Sequence, residues 1–230
     1  MTFSESTRER AQEIIARYPE GRQRSALLPL LHLVQSEEGY VSPAGIAFCA
    51  SLLGATKAEV AAVATFYTMY KRKPTGEWLV SVCTNTMCGT LGGDAAYQAL
   101  AEYLGVGHNG TTADGKITLE HAECLAACDY APVMTVNYEY FDKVTSDSAV
   151  DLVKRLQADD PPQPTRGGRL CRFKEMSVQL AGFADERAEA VADGPPGDHT
   201  LAGSRLAERH GLSVAGFNPE TPIPAKGDAK

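Results

Sequence analysis

The stretch that most restricts how this chain can fold is 78–132, where four of the six cysteines fall in two pairs. Cys83 and Cys88 are spaced C-x4-C in WLVSVCTNTMCGTLGG, and Cys124 and Cys128 are spaced C-x3-C in ITLEHAECLAACDYAP. Each pair follows a β-type run and lies in a loop of small residues. A strand that delivers a thiol to a loop, twice over, brings four sulfurs to one point. Three occupants of that point compete. Zinc sites usually show C-x2-C pairs or Cys/His mixtures at short spacing; neither pair has that spacing, and His121 sits inside the second β-run rather than after it. A disulfide framework belongs to small secreted domains, and this chain shows neither small size nor a secretion signal. A [2Fe–2S] cluster needs four thiolates, two on each iron, from loops that wrap a flat rhomb. C-x4-C also opens the plant-type ferredoxin pattern, although the C-x2-C that follows there is absent here. Spacing favours the cluster and leaves zinc and metal-free thiols open.

Composition narrows the setting. A formal net charge of −7 argues against an electrostatic nucleic-acid footprint. Apolar runs stay well short of the roughly 20 residues of a membrane span. The amino terminus, MTFSESTRERAQEII, is charged and has no apolar core of a signal peptide. Thiols in such a chain fit a reducing cytoplasm, where they bind metal more often than they pair. The expected location is cytoplasmic, without direct membrane insertion.

Helical spacing of Ala11, Ile14, Ile15 and Tyr18 predicts a first helix over 4–18. Ser25 is expected to cap a second, stopped by Gly39, with Pro29 in its first turn. Ser42-Pro43 opens a third helix that runs to Gly54, and Thr56 with Glu59 makes a capping box for a fourth. Four short helices predict a small bundle over 1–70. His32 and Cys49 read as packed core residues, and Phe66, Tyr67 and Tyr70 as core and interdomain packing. From Trp78 the expected order is β-α-β-β-β-α. Asp94 caps its first helix, VMTVN and YFDKV form a hairpin, and Pro132 is a candidate for a cis peptide. Gly105-Val106-Gly107-His108-Asn109-Gly110 matches G-x-G-x-x-G by letter, but it follows a helix and leads into turn residues. A dinucleotide site needs the reverse order, so none is assigned there.

Beyond Asp160 the last 70 residues hold eight of the thirteen prolines and nine of the glycines, a composition that cannot build its own core. Two amphipathic patches, 173–183 and 200–211, are expected to anchor an extended arm on a partner. Deleting 161–230 should then weaken assembly while sparing the metal site. Cys171 reads as an inert thiol.

The residues around the cysteines resemble a known family. C-T-x-x-x-C-G-x-x-G-G after a strand and E-C-L-x-x-C-x-x-A-P before the next are similar to the thioredoxin-like [2Fe–2S] ferredoxin subunits of respiratory complex I, the NuoE family of NADH-quinone oxidoreductases. The likeness extends through LPLLHLVQSEEGYVS and VATFYTMYKRKPTGEW and covers roughly residues 20–157. One departure is Ala126, where the family usually has glycine.

Pattern and resemblance together predict an α+β fold: an N-terminal helical bundle (1–70) read from the helix signals, a [2Fe–2S] domain (71–158) whose thioredoxin-like fold the resemblance implies, and an extended partner-binding tail (159–230) read from composition. The resemblance puts Cys83, Cys88, Cys124 and Cys128 on one [2Fe–2S] cluster, the same four that the spacing singles out, and it implies no catalytic residue on this chain. It implies an electron-transfer subunit rather than a complete enzyme. FMN and NADH would sit on a partner flavoprotein, the large iron–sulfur subunit would be a second partner, and the whole would lie at the inner face of the cell membrane. Only a flavin splits the hydride of NADH for one-electron carriers. Backbone N–H groups around Cys88-Gly89 and Gly92-Gly93 are candidate donors to the cluster sulfides, and Glu123 and Asp129 candidates for lowering its potential. The rivals are the similar diaphorase subunit of an NAD-linked hydrogenase or formate dehydrogenase, and a zinc-stabilised interaction module without redox function. Thiol–disulfide exchange lacks the C-x-x-C motif.

Overall fold

The computed structural model describes residues 3–188, 190, 197–213 and 216. The chain divides into two units, Met1–Gly194 and Pro195–Lys230.

In the first unit, four capped helices come first. Helix α1 (Glu5–Ala16) starts where Thr7 N–H donates to the Ser4 hydroxyl at 3.2 Å. Helix α2 (Leu27–Glu38) ends at Gly39, whose φ of 80° closes it in the left-handed conformation that glycine adopts without strain. Its start differs from expectation: Ser25 lies inside a 3-10 turn, Gln23–Ala26, and α2 begins after it without a side-chain cap. Helix α3 (Pro43–Leu53) has Ser42 as cap and proline first, and α4 (Lys57–Phe66) carries the full Thr56/Glu59 box. These helices enclose a core that includes Ile14, Leu30, Leu31, Leu33, Val34 and Val60. His32 and Cys49 are buried in it, as expected, and Tyr70 is anchored through its hydroxyl to Leu28 O at 3.0 Å. Phe66 and Tyr67 are not core: they are 77% and 45% exposed, because α4 ends at Phe66 and the chain leaves the bundle there.

The second core is a five-stranded sheet of order β2-β3-β1-β4-β5: β1 (Trp78–Cys83), β2 (Gly110–Thr111), β3 (Ile117–Ala122), β4 (Met134–Val136) and β5 (Glu139–Phe141). All six residues of β1 are buried, which explains why its sequence is an apolar run broken only by Ser81 rather than an alternation. It pairs in parallel with β3, Cys83 opposite Ala122, and antiparallel with β4. The β4–β5 hairpin turns at Asn137-Tyr138, both at positive φ. Asn137 is fully buried and fully used: it accepts from Leu79 N–H at 2.7 Å and donates to the carbonyls of Glu77 and Cys171. Helices α6 (Gly93–Leu104) and α7 (Ser146–Gln157) add Ala96, Leu100, Leu152 and Leu156 to this core; the short helix α5 (Thr86–Thr90) lies between β1 and α6. Asp94 is not the cap of α6. Gly92, at φ 112°, takes that place, and the helix begins at Gly93.

The segment after α7 corrects the expectation of an arm extended on a partner. Leu170 joins the sheet core. Arg172 pairs with Glu77, and its guanidinium carbon lies 4.6 Å from the Trp78 ring centroid. Helix α8 (Phe173–Leu180) packs on α2, with Phe173 and Met176 buried and Lys174 Nζ donating to Glu37 O at 2.9 Å. Phe183 lies against the bundle beneath Arg10 and Arg17. The 173–183 patch therefore buries on its own chain, and this strap touches both cores. Cys171 is buried within it, and burial pushes its thiol up to about 11. The second unit contains helix α9 (Asp198–Arg209), which covers most of the other patch and has no buried residue.

Candidate metal centre

Four thiols meet at one end of the sheet. Cys83 is the last residue of β1 and is held by its N–H to Val133 O at 3.1 Å. Cys88 sits on α5, where the sequence suggests a loop. Gly93 permits the approach of β1 to α5: a Cβ there would strike Cys83 O and lie 2.8 Å from Cys88 O. Cys124 and Cys128 bracket the loop after β3, with Cys128 opening a 3-10 turn, Cys128–Tyr130. The loop between them reverses at Ala126, whose φ is 58°, so that Ala126 N–H reaches Cys124 Sγ at 3.4 Å. The Ala131–Pro132 peptide that follows is cis.

All six cysteines are free thiols. The four of this site are grouped two and two. Cys83 and Cys88 are buried and in side-chain contact; Cys124 and Cys128 are exposed, with sulfurs 3.7 Å apart. Two sulfurs on one tetrahedral metal with bonds of about 2.3 Å stand about 3.8 Å apart, so the outer pair has the span of a single metal's ligands. Among the described residues no three His, Cys, Asp or Glu side chains are set to hold one metal ion. Burial pushes Cys88 up to about 11, its neighbours Cys83 and Cys128 add to the rise, and a backbone hydrogen bond from Val133 opposes it. Cys128 is raised by Cys124, through the hydrogen bond and the charge between them. Cys88 and Cys128 thus resist ionising alone, and a cationic core beside them would favour their thiolates, which suits ligation.

Ala127 and Val133 pack directly on the inner sulfurs, with Leu125, Tyr130, Ala131 and Tyr140 around them. Tyr140 OH donates to Leu125 O at 2.7 Å and so ties β5 to the outer pair's loop. Tyr130 and Tyr140 were not singled out from sequence; the legible signal was the hairpin, whose two-residue turn sets Tyr140 opposite Thr135. The N–H groups of Gly89 and Gly92, expected to serve bound sulfides, are committed to Asn85 O and Gly89 O at 2.8 and 3.2 Å. Glu123 accepts from Asn85 Nδ2 at 2.8 Å, and Asp129 lies in the 3-10 turn beside Cys128. Beside Cys124 opens a cavity of about 530 Å³, lined by Arg72, Lys73, the ion pair Lys71–Glu120 and the adjoining, mutually tilted rings of His108 and His121. The G-x-G-x-x-G stretch runs from the end of α6 into β2, with no helix opening after it.

Comparisons with known proteins show the family. The profile of the family described as thioredoxin-like [2Fe-2S] ferredoxin matches residues 11–157. The E-type subunit of NADH-quinone oxidoreductase from Mycobacterium tuberculosis is 56% identical over 212 residues, 92% of this chain and 81% of that protein. NADH-quinone oxidoreductase subunit 2 of Thermus thermophilus is 38% identical over 159 residues, 69% of this chain and 88% of that one. The crystal structure of an H2-reduced NAD+-reducing [NiFe]-hydrogenase superposes with a TM-score of 0.53 at 21% identity, over 59% of this chain and 22% of that one, a likeness of fold alone. An α+β architecture with two thiol pairs at one end of its sheet, a profile match across both cores and relatives of this identity lead to one statement: the chain belongs to the thioredoxin-like [2Fe–2S] ferredoxin family, together with the E-type subunits of NADH-quinone oxidoreductases.

Proposed function

We propose that this chain is the electron-transfer subunit of the NADH-oxidising module of a respiratory complex I, with Cys83, Cys88, Cys124 and Cys128 holding one [2Fe–2S] cluster. The observation that carries the reading is the two-by-two grouping of those thiols, with the outer sulfurs at the span of one metal's ligands. When bound, the cluster supplies a one-electron carrier. The chain's own residues do the rest. Cys83 and Cys88 hold the inner side out of water, Val133 and Ala127 fill the space behind, and the exposed Cys124–Cys128 side leaves a face open to a redox partner. In this reading that partner is a flavoprotein carrying FMN and NADH, and the large iron–sulfur subunit is a further neighbour.

The bundle and the cluster domain are assigned the division at residue 70, and partner docking by the arm is retained for the second unit, whose α9 is uncovered within that unit. Assembly at the inner face of the membrane is through partners. Among the described residues no single helix is long and apolar enough to cross a membrane. A hydrogenase-type diaphorase subunit shares the fold, but the 56% identity to an NADH-quinone oxidoreductase protein favours complex I.

Iron, zinc and acid-labile sulfide measured per chain in anaerobically purified protein test the reading. About two irons and two sulfides are expected, lost together in Cys83→Ser and in Cys124→Ser. One zinc and no sulfide from a sample never exposed to air would overturn it.

A further inference from the structure

A cation from the strap reaches the wall of the thiol site. Thr165 and Arg166 run beside β5: Thr165 N–H donates to Tyr140 O at 2.9 Å, and Arg166 bridges to Tyr140 across the sheet edge. The Arg166 guanidinium donates to Asp142 Oδ1 at 2.6 Å, and that carboxylate is only 10% exposed. Asp142 is fixed in turn, since its N–H donates to the Thr165 hydroxyl at 3.0 Å. Held there, the Arg166 guanidinium carbon lies 4.8 Å from the Tyr140 ring centroid and 5.3 Å from that of Tyr130. Its Nε is buried without a hydrogen-bond partner, so the side chain is placed by the rings and Asp142 rather than by saturating its donors. Both residues are tied to the loop that carries the outer cysteines: Tyr130 closes the turn that Cys128 opens, and the Tyr140 hydroxyl donates to Leu125 O between Cys124 and Cys128.

We infer that Arg166 is a positioning residue for the Cys124–Cys128 loop, fixing it through Tyr140 and Tyr130. Its importance for a redox site rests on the cluster reading above; its geometry does not. A guanidinium over two aromatic faces is attracted by both ring quadrupoles, most strongly where water is thin. Removing it frees the phenol that holds Leu125, and the loop loses its tether although no ligand has changed. No motif marks this residue. It comes from the stretch that composition alone reads as an arm without a core.

The full chain is compared with Arg166→Met, Arg166→Lys, Tyr140→Phe and the Arg166→Met/Tyr140→Phe double variant. In metal-free protein, Arg166→Met and Tyr140→Phe are each expected to speed amide exchange of 125–130 about fivefold, the ratio of a contact worth about 1 kcal/mol, while β1 and α2 are unchanged. The double variant should exceed the larger single effect by little, since both act through one tether. In the iron-loaded chain, Arg166→Met should lose iron to a chelator faster and shift the electron paramagnetic resonance signal of the reduced protein. Arg166→Lys, which keeps a cation over the rings, should move both back toward wild type. Unchanged loop exchange and an unchanged spectrum in Arg166→Met would overturn the inference. If exchange rises throughout that variant, Tyr140→Phe decides in its place: a localised increase supports the tether, none overturns it. A wild-type chain without iron and sulfide defeats the functional reading alone, and loop exchange still decides the role of Arg166.

Discussion

At Ala126 an L-residue sits at φ 58° in the loop between the outer thiols. The left-handed conformation costs an alanine roughly 1–2 kcal/mol, and glycine gives part of that back as greater freedom when unfolded. Ala126→Gly should therefore stabilise the metal-free chain by about 0.5–1 kcal/mol, raising its melting temperature by about 1–4 °C. Thermal unfolding checks this, and a lower melting temperature would show that the methyl group packs favourably. The sequence marks Ala126 as a departure from a glycine pattern but carries no dihedral angle. The four cysteines were legible because a β-run followed by a thiol is a local pattern. Tyr140 and Arg166 were not, because pairing along β5 and across its edge brings them to the loop from separate stretches of chain, whereas Tyr130 lies in the loop's own turn without a local pattern to mark it.

Element by element, legibility followed the strength of local chemistry. Caps at Ser42, Thr56, Gly39 and Gly54 announced α2, α3 and α4, since each satisfies backbone groups that a helix end leaves free. The five-residue α5 and two-residue β2 carry no periodicity to read; they exist because Gly93 lets β1 approach and because β3 offers β2 an edge. Within α2, His32 is nearly buried, its ring 4.7 Å from that of Tyr70 and its Nδ1 without a partner. Burial lowers it from 6.5 to about 4. The unfolded chain thus takes up a proton first as pH falls. The stability contributed by neutral His32 is intact above about 6.5 and is lost progressively down to about 4, a total of about 3 kcal/mol. His32→Leu should flatten that part of the acid limb. Denaturant midpoints of both proteins at pH 7 and pH 4.5 measure it, and equal losses in the two would refute the assignment.

For the whole molecule, the strap from Thr165 to Phe183 matters more than its composition indicates. Prolines and glycines dilute the apolar content after Asp160, yet Leu170, Phe173 and Met176 each fill a place in a core built by distant residues. A pattern search inside the segment cannot see a surface on α2. The expectation that deleting 161–230 spares the metal site is therefore replaced. That deletion removes Arg166 and uncovers both cores, at a cost of about 1.5–3 kcal/mol for each large apolar side chain lost. Deleting 195–230 should leave the melting temperature and the iron content of the first unit unchanged while weakening association with the proposed flavoprotein partner. Calorimetry with metal analysis of both truncations separates the two regions. A shorter form that melts like wild type would refute the strap, and a longer form that assembles normally would end the docking role of the second unit.

The strap also imposes an order in time. Lys174 reaches back to Glu37 across 137 residues. The face of α2 that receives α8 is thus made long before its cover. At synthesis rates of about 5–20 residues per second, a nascent chain waits roughly 7–27 s between the two. Throughout that interval the bundle presents to the cell a stripe that the finished protein never shows. The interval belongs to the topology, and no change of residue type in α2 shortens it.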